Sequence, residues 1–198
     1  MAARVVVLAS GTGTLMQALI DAQDESYEIV ALVCDVPGAA ALERASAAGI
    51  PSTVVRPAGF DDRAAWNLAL TEAVQSHAPD WIVSAGFMRV LGSTFLAAFP
   101  QRIINSHPAL LPSFAGAHGV RDALDYGVRI TGTTVHVVDD GVDTGPIIAQ
   151  RAVDVLDDDD EASLHERIKV EERELLVDVV RRLSVGGIRI TGRRVTLT

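Results

Sequence analysis

The segment 103–112, IINSHPALLP, holds two residues whose types and spacing suit chemistry. Asn105 and His107 stand two apart at the end of an apolar run. Side chains two apart on an extended segment point the same way, so an amide and an imidazole face one space. That pair suits a reaction passing through an oxyanion, with the amide NH₂ donating a hydrogen bond and the imidazole carrying a proton. Pro108 and Pro112 restrict the loop that follows. A strand ending in a polar turn accounts for Asn-x-His-Pro equally well. Asp143, in Val142-Asp143-Thr144-Gly145-Pro146, bears on the choice. Beside His107 it would favour the imidazolium and orient the ring; by itself it is a turn residue. His118 either lines the same space or supports it. His136 alternates with Val135 and Val137 and fits either face of a strand, while His77 and His165 read as surface helix residues.

Two further segments carry binding chemistry. Ser10-Gly11-Thr12-Gly13-Thr14 joins an apolar run to a helical one. Glycines permit a tight turn and close ligand approach, and the free N–H groups of the helix start favour an anion such as phosphate. A dinucleotide fingerprint needs glycine at position 16, which is Met16, so a phosphate cradle fits better even with Asp35 placed as a ribose acid. A βα turn without a ligand is the plain alternative. Ser84 to Leu91 (SAGFMRVL) combines a glycine with Phe87, Met88 and Leu91. It suits a flat heterocycle bound by packing and backbone groups, or simply a core junction.

The elements that must position these residues follow from periodicity. Apolar, β-branched runs at 5–9, 29–34, 53–55, 81–84 and 102–105 read as buried strands. Helical patterns at 14–24, 39–48 and 61–77, and a short helix before strand five, alternate with them. This predicts an α/β chain with a Rossmann-like, doubly wound, mostly parallel sheet and helices on both faces. The second half departs from that rhythm. A loop at 106–117, a helix near 120–126, strands at 133–138 and 147–155, a long helix at 161–183 and a hairpin at 187–197 turned at Gly192 form an antiparallel C-terminal extension. Asp157 to Asp160 reads as a solvated turn before the long helix. One domain is expected over 1–198: a nucleotide-binding half to about 105, then catalytic loops and the C-terminal helix.

Bulk properties narrow the class. With 198 residues there is room for one sizeable core. A net charge of −9 argues against non-specific nucleic-acid binding. Cys34 is the only cysteine, which excludes an intramolecular disulfide and a thiolate cage, and no His/Cys/Asp/Glu spacing suggests a metal. No apolar run is long enough for a signal peptide or a membrane span, so a cytoplasmic protein, monomer or homodimer, is expected.

Taken together, SGTGT at 10–14, AGFMRVL at 85–91, NSHPALLP at 105–112, GAH at 116–118 and TGTTVHVVDDGVDTGPII at 131–148 resemble the phosphoribosylglycinamide formyltransferase family, within the folate-dependent formyltransferases. The resemblance spans nearly the whole chain. It implies formyl transfer from 10-formyltetrahydrofolate to glycinamide ribonucleotide in purine biosynthesis. It implies catalytic roles for Asn105, His107 and Asp143, and a phosphate cradle at Gly11, Thr12, Gly13 and Thr14. It further implies ribonucleotide contacts at Lys169 and Glu172. Met88, Arg89, Val90 and Leu91 correspond to the folate wall, Val138, Asp139, Asp140, Gly141 and Val142 to the loop closing over the ring, and Arg63 to a basic residue near the glutamate tail. The chain departs from the family at Leu15, where asparagine is usual, and in the late helix. There Arg173 follows Glu172 and Val177 stands where proline is usual, so the helix is expected to run on unbroken. A formyltetrahydrofolate deformylase usually has an additional N-terminal domain, and transformylases of charged tRNA or nucleotide sugars an additional C-terminal one. A non-catalytic nucleotide-binding domain is the alternative from another class.

Overall fold

The computed structural model describes residues 1–198. By internal contacts the chain divides into two units, Met1–Ile104 and Asn105–Thr198. The first contains β1 (Ala3–Ala9), α1 (Thr14–Asp21), β2 (Tyr27–Cys34), α2 (Ala40–Ala47), β3 (Ser52–Val54), α3 (Arg63–Gln75), β4 (Trp81–Ser84) and α4 (Ser93–Ala98). β1 pairs in parallel with β2 on one side and β4 on the other, and β2 pairs in parallel with β3. Val5, Val6, Val7, Leu8 and Ala9 are all fully buried. Central parallel strands are covered on both faces, which is why this run is continuously apolar rather than alternating.

Helix ends in this unit follow local polar chemistry. Asp62 caps α3 by accepting the Ala65 N–H at 2.8 Å. α1 stops at Asp21, three residues short of the periodic pattern. There Asp24 Oδ1 accepts from the Ser26 N–H at 2.9 Å and the Ser26 hydroxyl at 2.5 Å, turning the chain towards β2.

β5 (Ile103–His107) begins in the first unit and ends in the second. It runs two residues beyond the expected end at Asn105, so His107 belongs to the strand and the connecting loop is shorter than expected. The second unit continues with α5 (Gly119–Tyr126), β6 (Ile130–Val137), β7 (Ile147–Asp154), α6 (Glu161–Gly186), β8 (Ile188–Thr191) and β9 (Arg194–Leu197). β6 and β7 pair antiparallel with a register shift at Val135/His136, and β8 and β9 form an antiparallel hairpin. Leu164 and Ile168 of α6 pack with Val120 and Val153 in the core of this unit. α6 is one uninterrupted helix of 26 residues. With Val177 instead of proline, no backbone N–H is lost and no ring clashes with the preceding turn.

The acidic run before α6 is a built cap rather than a merely solvated turn. Asp160 and Ser163 form a reciprocal capping box. Asp159 accepts from Arg167 Nη1 at 2.8 Å and from the Ser163 hydroxyl at 2.8 Å. The Arg167 guanidinium is the first cause holding the Asp159 carboxyl far below the usual carboxylate range.

The strand order is β3-β2-β1-β4-β5-β6-β7 in one mostly parallel seven-stranded sheet, with β8-β9 a separate hairpin. No helix is long and apolar enough to cross a membrane.

Candidate active site

The end of β5 presents two buried or half-buried polar side chains to the same cluster. His107 is 4% exposed. Its Nε2 lies 2.8 Å from the Phe114 carbonyl oxygen, which only accepts, so Nε2 carries a proton. Its Nδ1 then faces Asp143 Oδ2 at 3.4 Å. A second proton on this ring would sit directly towards the carboxylate. Asn105 Nδ2 is 3.2 Å from His136 Nε2 and donates to Asp143 Oδ1 at 3.4 Å. Both amide protons therefore have partners, and one must be released for Asn105 to hold a developing oxyanion.

Asp143 is fixed from several sides. Its Oδ2 accepts the Gly116 N–H at 2.9 Å, and its Oδ1 lies 3.6 Å from His136 Nε2. Its backbone is in the left-handed region, φ 54°, an uncommon conformation for a residue with a side chain. Burial pushes its carboxyl upward. The adjacent His136 ring, the Gly116 N–H and the nearby His107 imidazole outweigh that and hold it below the usual carboxylate range. An ionised carboxylate between two imidazoles and an amide can orient a proton-carrying ring and receive or relay a proton.

His136 is the residue that pattern reading did not single out. It is 2% exposed, with Nδ1 3.0 Å from the Val137 carbonyl. A proton on Nδ1 leaves Nε2 free to accept from Asn105. The register shift at Val135/His136 marks the place where the strand re-aims this side chain. Alternation alone could not say which face it takes.

α6 supplies Glu172, 5% exposed, which accepts from the Ser106 hydroxyl at 2.7 Å. Burial is the main cause raising its carboxyl pKa, partly offset by the Ser106 bond and the charges of Lys169 and Arg173. Lys169, one turn away, instead pairs with Glu166 at 2.7 Å on the helix surface. In the 138–142 loop, Asp139 Oδ1 accepts from the Gly141 N–H at 3.2 Å and the Thr144 hydroxyl at 2.7 Å. Val138 is half-buried, while Asp140 and Val142 are exposed. His118 is exposed and starts α5 without a side-chain capping bond.

In the first unit, the glycine turn is held by α2. The Gly11 carbonyl accepts the Ala41 N–H at 3.1 Å, and the Thr12 carbonyl accepts from Arg44 Nε at 2.8 Å. Gly13 has φ 68°, and a Cβ there would lie 2.8 Å from Ala41. Thr14 then opens α1, whose start has no side-chain cap. Leu15 is buried and packs into the core.

The 86–92 segment is tied down at several points. The Ser10 N–H donates to the Gly86 carbonyl at 3.1 Å, and the Ser10 hydroxyl accepts the Met88 N–H at 2.8 Å. Arg63 Nη2 donates to the Val90 carbonyl at 2.6 Å, and Gly92 N–H to Asn67 Oδ1 at 3.1 Å. Arg89 pairs through Nε with Asp35 at 2.6 Å. That pairing uses Oδ2 of the buried Asp35, whose Oδ1 has no hydrogen-bond partner. Met88 and Val90 are left exposed, and Leu91 is buried. No group of three or more His, Cys, Asp or Glu side chains is arranged to hold a metal ion.

Comparison with known proteins gives this geometry a lineage. The formyl transferase family profile matches residues 3–180. The chain belongs to the formyl transferase family. A phosphoribosylglycinamide formyltransferase of Mycobacterium tuberculosis (strain ATCC 25618 / H37Rv) is 54% identical over 197 residues, covering 98% of this chain and 91% of the relative. One from Bacillus subtilis (strain 168) is 39% identical, covering 91% and 94%. The crystal structure of glycinamide ribonucleotide transformylase 1 from Symbiobacterium toebii superposes with a TM-score of 0.96 at 41% identity, covering 99% of this chain and 94% of that one.

For a formyl transferase, the Asn105–His107–Asp143 cluster offers what acyl transfer needs: an amide donor, a proton-carrying ring and a carboxylate to orient it. Ser10 and His136 are the two contributors that sequence reading left without a role. Ser10 had a signal in its place immediately before the glycine turn, but its link to Met88 is a contact across 78 positions.

Proposed function

We propose that this formyl transferase moves the formyl group of 10-formyltetrahydrofolate to the primary amine of glycinamide ribonucleotide, a step of purine biosynthesis. The amine nitrogen attacks the formyl carbon and a tetrahedral oxyanion forms. Asn105, releasing one of its present partners, and protonated His107 stabilise it; one such donor is worth about 2.7–4 kcal/mol of barrier. The carbon–nitrogen bond to the folate then breaks, and the proton lost by the amine passes to the leaving folate nitrogen. Asp143 holds the His107 ring and handles that proton. The amine is its own nucleophile, so no serine or cysteine attack is required.

In this reading Gly11 to Thr14 hold the ribonucleotide phosphate, and Glu172 and Lys169 contact the ribonucleotide. Arg63, Met88 to Leu91 and Val138 to Val142 serve the folate, with His118 in support. The observation that carries the proposal is the approach of Asn105 and His107 to one carboxylate, at 3.4 Å in each case, in a chain of the formyl transferase family. The test mixes protein, glycinamide ribonucleotide and 10-formyltetrahydrofolate and follows tetrahydrofolate release. Release that requires the ribonucleotide is expected. Release without it would favour a deformylase, and no release a binding domain.

A further inference from the structure

The loop that carries Asp143 is restrained at several points. Asp143 has φ 54°, and a residue with a side chain relaxes from that region unless its surroundings over-determine it. The start of the loop is held by Asp139, whose Oδ1 accepts from the Thr144 hydroxyl at 2.7 Å. Its end is held by the Val137 N–H, which donates to the Pro146 carbonyl at 2.9 Å. Gly145 is packed so closely that a Cβ there would lie 1.7 Å from the Val137 carbonyl oxygen. The peptide groups immediately after Asp143 have a third restraint, and it comes from the far end of the unit. Arg193, in the turn between β8 and β9, donates through Nη2 to the Thr144 carbonyl at 2.9 Å and reaches the Gly145 carbonyl at 3.4 Å. The hairpin has its own anchor: the Thr198 N–H donates to the Gly187 carbonyl at 3.2 Å, and its hydroxyl to the Gly186 carbonyl at 2.5 Å.

We infer that Arg193 is a positioning residue for the reaction, acting through the Thr144 and Gly145 carbonyls to keep the Asp143 carboxylate aimed at His107 and His136. The inference rests on the proposed role of Asp143. A guanidinium suits this task because its planar Nη2 carries two N–H donors in fixed directions, one for each neighbouring carbonyl. The groups facing Asp143 are His107 and Asn105 from β5, His136 from β6 and the Gly116 N–H. Arg193 touches none of the reacting atoms. Its loss would loosen all four contacts together without removing any of those groups.

The test uses full-length Arg193→Met and Arg193→Lys proteins. Arg193→Met keeps much of the stem and removes every donor. It is expected to lower kcat about three- to tenfold, the scale of one ordinary hydrogen bond, with the KM for the ribonucleotide little changed. Arg193→Lys is expected to recover part of kcat, since one ammonium can serve the Thr144 carbonyl alone. The second readout needs no substrate: carboxyl carbon NMR titration of Asp143 in the ligand-free protein. In Arg193→Met that titration should move up towards the ordinary carboxylate range, because the Gly116 and imidazole contacts weaken. An unchanged Asp143 titration and unchanged kcat in Arg193→Met would overturn the inference. A lowered thermal midpoint with the titration and the kcat-to-KM split both unmoved would also overturn it, reducing Arg193 to a fold contact. An inactive parent with a shifted titration in Arg193→Met would count against the reaction assigned to the site while supporting the positioning role.

Discussion

His107 Nδ1 and Asp143 Oδ2 face each other at 3.4 Å while His107 Nε2 is committed to the Phe114 carbonyl at 2.8 Å. The ring therefore has one nitrogen fixed as a donor and one turned to a carboxylate. A second proton on this ring, at Nδ1, would point at that carboxylate. This arrangement follows directly from β5 running through His107 rather than stopping at Asn105.

The second imidazole gives a distinct prediction. His136 Nε2 takes one Asn105 amide proton and also approaches Asp143. His136→Phe removes both contacts and leaves a buried amide proton without its acceptor. Turnover should fall about tenfold or more, by the usual cost of an unsatisfied buried donor, while ribonucleotide affinity changes little. Steady-state kinetics with calorimetric binding would separate the two; a raised dissociation constant with kcat intact would refute this assignment.

Ser10 links the glycine turn to the 86–92 segment through its hydroxyl. Ser10→Ala leaves the Met88 N–H to water and should raise the KM for the folate by about fivefold, the value of one ordinary hydrogen bond. Its thermal midpoint should be nearly that of the parent, because Met88 is exposed. An unchanged folate KM would show that the segment keeps its shape without Ser10.

Glu172 predicts a pH-dependent trade between stability and binding. Its carboxyl pKa is raised by burial, so the folded state prefers it protonated. A raised folded pKa contributes stability below the unfolded value, about 4.3, and that contribution is lost as pH rises through the folded value. Glu172→Gln stays neutral and can still accept from Ser106. At pH 7.5 it should melt about 2–4 °C higher than the parent, with the gap closing below the unfolded pKa. Ribonucleotide binding should weaken in the same variant. A midpoint below that of the parent at pH 7.5 would contradict this reading of the buried carboxyl.

The glycine turn is sensitive to one added carbon. Gly13→Ala places a Cβ 2.8 Å from the Ala41 backbone at a φ of 68°. The left-handed conformation alone costs about 1–2 kcal/mol, and the overlap adds to it. The start of α1 must shift, so phosphate-containing substrate should bind far more weakly while folate binding is largely kept. Isothermal titration of each substrate checks this, and equal losses for both would point to general unfolding.

The sequence made some of this architecture legible and hid the rest for physical reasons. Buried parallel strands such as β1 declare themselves by uninterrupted apolar runs, and the continuity of α6 follows from Val177. Asn105, His107 and Asp143 were readable as candidates because their chemistry is scarce and their motifs are dense. Periodicity could not reveal that Arg89 pairs with one oxygen of Asp35, that Asp159 is part of a cap, or which way His136 points. Those outcomes depend on contacts between residues distant in the chain or on a local register shift. The end of β5 was misplaced because Ser106 and His107 look like turn residues, yet Ser106 is satisfied by Glu172 and His107 by Phe114.

The most direct test of the proposed chemistry is ribonucleotide-dependent tetrahydrofolate release by folded Asp143→Asn protein, measured beside its affinity for glycinamide ribonucleotide. Loss of a carboxylate that orients and handles the proton should cut turnover by about 10²-fold or more. The ribonucleotide dissociation constant should stay within about threefold of the parent, since Asp143 is assigned to the reacting atoms rather than to substrate grip. Near-parental turnover in that variant would contradict the account.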